Sequence, residues 1–373
     1  MISSCSRFAR ASRASCLVLA VLSLSAQAAI KESTTFSNGP KAPVLQCTDV
    51  ESGKAVECPE ASFKENYGTA PVEIAFHGHD FEELDAIYDQ VASGEKQFND
   101  GVPYLKYYFG TLSRMITTWE RWDADLVRIQ KWQRARPTSV AAKLTEAVYW
   151  HAYAWNARGT AFASEVRQES WDLYRERIAK AKAVLEEIKP QAKQFPAWYT
   201  LRIDLAAESE SKEATRRIFD EALTLHRQYY PIFLSMAHAY EPKWGGSVAQ
   251  FEAFADEAVV LSKGFEGPGM YSRIFWTMDS VHDLPFRSKE DAVPSWTKLN
   301  AGFADLLARH PKSHNILNQY ASLACRANDG PLYRKLRTQL GDYLMERYFT
   351  MVPVEACDRR HQWPAAAKKK AAR

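Results

Sequence analysis

Three short stretches carry residue types able to do chemistry. Phe76-His77-Gly78-His79-Asp80 sets two imidazoles beside a carboxylate. Zinc accepts His nitrogen and carboxylate oxygen in a tetrahedral shell, so this run needs a further ligand from elsewhere. Nothing in the sequence identifies one. Asp80, with Glu83 three residues on, reads instead as an N-cap and capping box. No metal and no cofactor is expected. In the second stretch, Trp150 to Trp155, nearly every residue is apolar or aromatic, as in a helix buried on most sides. His151, Trp155 and Arg158 share one face at i, i+4 and i+7. Arg158 either clamps an anion or carboxylate or fixes a neighbouring helix, and the second reading is favoured. The third stretch is Pro242-Lys243-Trp244-Gly245-Gly246-Ser247. Pro242 ends the preceding helix near Tyr240. Two glycines give a sharp turn. Ser247 caps the next helix, with Gln250 at the capping-box position. Trp244 packs under this joint; stacking on a ligand is its other reading.

Standard catalytic signatures do not occur. There is no Gly-x-Ser-x-Gly elbow, phosphate loop, His-Glu-x-x-His or dinucleotide fingerprint. Glu82-Glu83 and Glu186-Glu187 diverge on helix surfaces and read as solvated.

These residues must be positioned by helices. From Phe81 onward apolar residues recur at helical spacing. Pro103 opens a segment reaching Arg136, and Pro137 with Ser139 separates it from a helix over Val140 to Arg158. A charged helix runs from Ala163 to Ile188, ended by Pro190. Pro196 and Pro231 open the next helices, since a first-turn proline loses no intrahelical bond. A weak period runs through this region. Ile218-Phe219-Asp220-Glu221-Ala222 resembles Phe254-Ala255-Asp256-Glu257-Ala258, and Phe303-Ala304-Asp305 followed by Pro311 is a further copy. Pro196 to Pro231 repeats the spacing of Phe219 to Phe254. A period near 34 residues with paired helices predicts an all-α, tetratricopeptide-like helical-repeat solenoid.

The 373 residues are 46% hydrophobic and include 11 Trp, enough for a sizeable core. Arg7, Arg10 and Arg13, the apolar run Cys16 to Leu24 and Ala26-Gln27-Ala28 form an export signal over 1–28, cleaved after Ala28. The arginine before Cys16 argues against lipidation there. The leader's three arginines account for the excess of 48 Lys and Arg over 45 acids. The mature chain is formally neutral, and no nucleic-acid partner is expected. No later stretch approaches the roughly 20 apolar residues of a membrane span. Residues 29–75 read as irregular, 76–365 as the helical-repeat domain and 366–373 as a basic, disordered tail.

Four cysteines survive cleavage. In an exported chain they suggest two disulfides. Of three possible pairings the simplest joins near neighbours, Cys47 with Cys58 and Cys325 with Cys357. No CxxC suggests a redox motif or a four-cysteine zinc site.

The Pro242–Ser247 stretch resembles the Pro-Arg/Lys-Trp-Gly-Gly-Ser signature of bacterial proteins grouped as domain of unknown function 4034. Ala154-Trp155-Asn156-Ala157-Arg158-Gly159 is similar to that family's Ala-Trp-x-x-Arg-Gly segment. Met270-Tyr271-Ser272-Arg273 resembles its Tyr-x-Arg helix, and Ala324-Cys325 a late Ala-Cys helix. The order also matches, over roughly residues 80 to 365. The resemblance implies an all-helical, tetratricopeptide-like fold. It implies no established activity and carries over no catalytic residue.

In such a stack the first helix of each pair lines the concave side. Trp155, Arg158, Arg202, Tyr240 and Arg273 are the groove candidates from those helices, with Trp244 and Tyr271 at the turns. Aromatics and Arg carry most binding energy at interfaces. The reading is a periplasmic or secreted repeat protein that binds a protein or peptide or scaffolds an envelope complex, not an enzyme. A periplasmic immunity or inhibitor protein, and a hydrolase with a non-standard site in the groove, are the alternatives. Arg158→Ala or Arg273→Ala is expected to weaken binding with little effect on stability, and Trp244→Ala to lower stability.

Overall fold

A computed structural model describes residues 46–48, 54–57, 71–161, 163–282 and 294–363. The leader, the basic tail and Cys58 lie outside the described residues, and with Cys58 the expected Cys47–Cys58 bridge. The described residues all belong to one compact unit, 42–373. Its first feature is a short hairpin that the sequence reading left irregular. Strand β1 (Gln46–Thr48) pairs antiparallel with β2 (Ala55–Glu57), and Cys47 lies opposite Val56.

Everything after it is helical. The helix α1 (Pro71–Gly78) begins ahead of the boundary expected at residue 76, and α2 (Phe81–Val91) follows. The segment expected from Pro103 to Arg136 is built as two helices, α3 (Tyr104–Trp119) and α4 (Trp122–Ala135). Between them Glu120 is left-handed at φ 48°, a conformation non-glycine side chains rarely adopt and no local signal announces.

Five helix pairs then follow: α5 (Val140–Arg158) with α6 (Gln168–Ala192), α7 (Pro196–Ser209) with α8 (Lys212–His226), α9 (Pro231–His238) with α10 (Val248–Leu261), α11 (Pro268–His282) with α12 (Trp296–Arg309), and α13 (His314–Arg326) with α14 (Gly330–Leu340). A last helix, α15 (Val354–Arg360), ends the described chain. Local chemistry explains most starts. Ser139, Ser211, Ser247 and Ser313 each accept a hydrogen bond from a first-turn N–H, and Pro196, Pro231 and Pro268 occupy first positions. Pro190 does not end α6 where expected. It lies in the last turn, where one lost backbone bond is outweighed by burial of Ile188 and Ala192.

The repeat period reappears as contact between equivalent positions. Phe219 on α8 meets Phe254 on α10 edge to face, ring centres 5.6 Å apart. Arg216 holds Glu257 across the same joint through two bonds of 2.7 and 3.1 Å. The first helices α5, α7, α9 and α11 touch in succession, and α3 packs on α5. This is an all-α helical-repeat fold. No helix among the described residues is long and apolar enough to cross a membrane. A disulfide joins Cys325 on α13 to Cys357 on α15, both fully buried, as expected.

Candidate functional site

The row of first helices carries a cluster of ionisable side chains. At its centre is Glu208, near the end of α7 and almost inaccessible to water. His151 Nε2 on α5 lies 3.0 Å from Oε2, and Tyr174 on α6 donates its hydroxyl to the same oxygen at 2.8 Å. Trp155 Nε1 lies 3.2 Å from both His151 Nε2 and Glu208 Oε1. When His151 is protonated, that hydrogen goes to the carboxylate. His238, the last residue of α9, brings Nε2 to 3.6 Å from Oε1. Its Nδ1 lies 2.8 Å from Glu241, which also holds Lys243 at 3.0 Å.

Burial and pairing oppose each other here, and pairing wins. Desolvation disfavours the charged imidazole of His238, yet hydrogen bonds to Glu208 and Glu241 raise its pKa to about 9. His151 is shifted upward against the same desolvation by the charge of Glu208 and its hydrogen bond. Desolvation likewise works against the Glu208 carboxylate, but His151, His238 and Tyr174 hold it far below the usual range. Glu208 and His238 are therefore charged at neutral pH and poorly suited to proton transfer, which wants a pKa near the working pH.

Two neighbours behave differently. Lys106, in the first turn of α3, is exposed to water. Even so, desolvation first, then the charge of Arg273, lowers its pKa against the pull of Asp204 and Asp100. Asp204, one turn before Glu208 on α7 and half-buried, is shifted upward by desolvation, opposed by His238, His151 and a hydrogen bond from Ser235.

The candidates read from the sequence separate into distinct settings. Trp155 and Trp244 belong to the Glu208 cluster, their rings perpendicular at 5.6 Å, with Trp244 also 5.3 Å from the His238 ring. Arg158 donates to the carbonyls of Gly159 and Ala161, both at 2.9 Å, and lies over the rings of Trp155 and Trp171. It closes the end of its own helix. Arg202 is paired with Glu210 at 2.9 Å and Glu186 at 3.4 Å. Tyr240 stacks on Phe254. Tyr271, expected at a turn, is inside the first turns of α11 and 1% exposed, donating to Glu252 and accepting from the Ser295 N–H. Arg273, expected to face a groove, is 4% exposed. Its Nε donates to Glu266 at 2.9 Å, and Nη2 donates to the Asp100 carbonyl at 3.2 Å beside His310. Its guanidinium covers the Tyr230 ring. The expectation that Arg273 is dispensable for stability is therefore corrected: its removal leaves Glu266 buried and unpaired.

Sequence reasoning missed Lys106, Tyr174, Asp204, Glu208 and His238. The available signal was polarity out of place. Asp204 and Glu208 stand one turn apart on α7, and His238 ends the otherwise apolar α9. His77 and His79 are exposed, at the end of α1 and in the following turn, where Asp80 caps α2 as expected. Among the described residues no group of three or more His, Cys, Asp or Glu is arranged to hold a metal.

Fold and cluster together define a class: an all-α protein of paired helices whose first helices meet at a cluster of ionisable side chains. Residues 72–203 match the family model Domain of unknown function (DUF4034), the family that the sequence motifs resemble. The match includes the Ala154–Gly159 stretch and ends within α7. No curated protein and no solved structure matches the chain.

Proposed function

We propose that this chain is an exported, non-enzymatic repeat protein that binds a peptide segment of a partner protein along the inner face of α5, α7 and α9, in the periplasm or after secretion. One observation carries the reading. His151 on α5 and His238 on α9 meet Glu208 on α7 at 3.0 and 3.6 Å, and both imidazoles stay partly open to water. Charged side chains are kept in such a position at a cost in stability, which a bound segment offsets. The charge of Glu208 and His238 suits electrostatic recognition better than acid–base chemistry. Export is supported by the leader-like N-terminus and by the Cys325–Cys357 disulfide, which suits an oxidising compartment.

The test is a benzophenone amino acid at the exposed Gly110 of α3, where an added side chain meets nothing, and in a second protein at the exposed Leu225 of α8. Irradiation in the native compartment should crosslink a defined partner from position 110 and not from 225. Equal yields, or none from 110, defeat the reading. The partner's identity also decides the immunity or inhibitor role, which requires a toxin. A hydrolytic site is the second reading. It is favoured by Lys106 and Asp204, whose pKa values move toward each other. Turnover of ester or peptide substrates, lost in Asp204→Asn, is its expected signature.

A further inference from the structure

The helices α6, α8, α10 and α12 end side by side, and side chains at those ends tie them into one edge. His226 Nε2, at the end of α8, lies 3.3 Å from the Lys193 carbonyl that closes α6. Arg227 Nη2, on the next residue, donates to the Leu261 carbonyl at the end of α10 at 2.7 Å. Arg309, the last residue of α12, donates to the carbonyl of Phe265, just past α10. The edge so formed carries Lys189, Lys193, Arg227, Lys263, Arg309 and Lys312. The acids of these helices lie earlier in each and are engaged. Glu187 is held by Lys143, Glu186 by Arg202, and Asp220 and Glu257 by Arg216. Glu221 accepts from Tyr199, Asp256 pairs with Lys298 and Asp305 with Arg309 itself. Glu95 comes near, since Gly94 lies against Tyr229 and Pro196, and Lys96 stands next to it.

Charge alone has a local cause here. A cation in the last turn offsets the negative end of the helix dipole, and the carbonyl bonds of Arg227 and Arg309 do this directly. Exposed aliphatic side chains at the same ends have no such cause. Leu225 is 57% exposed and Val260 is 69% exposed. They are separated by the same interval as Phe219 and Phe254, and Pro190, exposed in the last turn of α6, repeats that interval once more. Single surface aliphatics need no explanation. These three stand at one repeat position on adjoining helix ends, and each is followed within three residues by a cation: Lys193, Arg227 and Lys263. We propose that this edge is a docking surface for an anionic lipid bilayer. A bilayer offers both things that the row presents: anionic headgroups that attract Lys and Arg, and an acyl boundary just beneath them that accepts Leu and Val. An acidic protein surface would match the cations and leave the aliphatics facing charge. The contact is peripheral, because no helix among the described residues is able to cross the membrane. It does not depend on the peptide-binding reading: a lipid surface leaves no protein crosslink at position 225, so the two fail separately.

The experiment floats the full mature chain with vesicles of phosphatidylcholine alone and of phosphatidylcholine with phosphatidylglycerol, at low and at raised salt. Binding should require phosphatidylglycerol and fall as salt screens the charges. Lys193→Glu combined with Lys263→Glu should weaken it by roughly tenfold or more. Leu225→Ser combined with Val260→Ser keeps every charge and should weaken it by roughly fivefold, the mark of side chains that enter the acyl boundary. Lys131→Glu with Lys335→Glu, exposed on α4 and α14, is the control and should bind as wild type. Thermal unfolding of each variant checks that it folds. Four results overturn the proposal: no binding to either vesicle, equal binding to both, an equal loss in the control, or binding that survives the edge variants, as it would if Lys368-Lys369-Lys370 carried it. Soluble polyglutamate is the further probe. If it binds and is lost with Lys193→Glu and Lys263→Glu while the vesicles do not bind, the edge belongs to an acidic protein partner and the lipid assignment is wrong.

Discussion

Glu208 gathers partners from three other helices. Four donors from α5, α6 and α9 converge on one buried carboxylate, so its charge favours the protonated form of both imidazoles. The consequence is a pH dependence with a definite sign. His238 has a folded pKa of about 9 against an ordinary 6.5. Its stabilisation is therefore complete below about pH 6.5 and lost as pH rises through 9. Glu208, held below the usual carboxylate range, contributes stability above its ordinary 4.5, and that is lost only in stronger acid. Denaturant unfolding between pH 6 and 9.5 should show wild-type stability falling by on the order of 2 kcal/mol. Glu208→Gln should be less stable at pH 6 and show a shallower fall. A flat wild-type profile, or an unchanged slope in the variant, would show that Glu208 does not hold the imidazoles. The buried Arg273–Glu266 pair gives a second prediction. Breaking it with Arg273→Ala should cost about 3–5 kcal/mol of stability, measured by the same unfolding curves. A loss under 1 kcal/mol would return Arg273 to the list of binding residues. At this scale the sequence was half legible. Trp155 stood out in an aromatic helix and Trp244 beside glycine, but their meeting between α5 and the joint after α9 depends on how the pairs stack. Glu208 looked like an ordinary solvated charge, because a sequence does not tell which face of a helix its neighbours cover.

Elements were more legible, since caps and breakers act locally. Val140–Arg158 and the starts at Pro196 and Pro231 follow from serine and proline chemistry alone, as does the joint at 242–247. Glu120 and Pro190 show the limit: tertiary packing imposed a left-handed turn at one and carried the helix past the other. The joint shows why its two glycines are not equivalent. Gly245 has φ 74°, and a Cβ there meets nothing. Alanine at that site pays only the left-handed backbone penalty, about 1–2 kcal/mol. A Cβ on Gly246 would overlap the backbone carbonyl of Tyr240, which no side-chain rotation relieves. Its N–H also closes the turn onto the Glu241 carbonyl at 3.0 Å. Gly246→Ala should therefore lower the melting temperature well beyond Gly245→Ala, and should disturb Trp244 fluorescence because Trp244 lies inside the same turn. Equal shifts in the two variants would mean that the turn relaxes and the close approach is not what selects glycine.

At the scale of the whole described unit, a repeat stack has a known weakness: each pair touches only its neighbours, so unfolding can begin locally and spread. Here residues 92–103 counter it. Gly94 lies against Tyr229 ahead of α9, in a space that a Cβ would fill, and Gly101 lies against Arg273 and His310. Asp100 is 3% exposed. Its Oδ1 accepts from the Val102 N–H, and its Oδ2 accepts from Asn315 Nδ2 at 3.0 Å across 215 positions of sequence. Asn315 in turn accepts from Tyr348 and Arg347, and α13 is bound to α15 through Cys325–Cys357. The segment before α3 is thus tied to the last pair, a contact that no local pattern in the sequence could announce. Asp100→Ala removes the Asn315 and Val102 bonds while leaving the Arg273 bond to the backbone carbonyl. It leaves buried donors unpaired, a loss of about 1–3 kcal/mol. If the tie couples the two regions, amide exchange should quicken by roughly tenfold or more in both 92–103 and 314–326, with α5 and α6 unchanged and the disulfide intact. Faster exchange confined to 92–103 would mean that the segment merely rests on the stack, and that α13 owes its order to its own packing and to the disulfide.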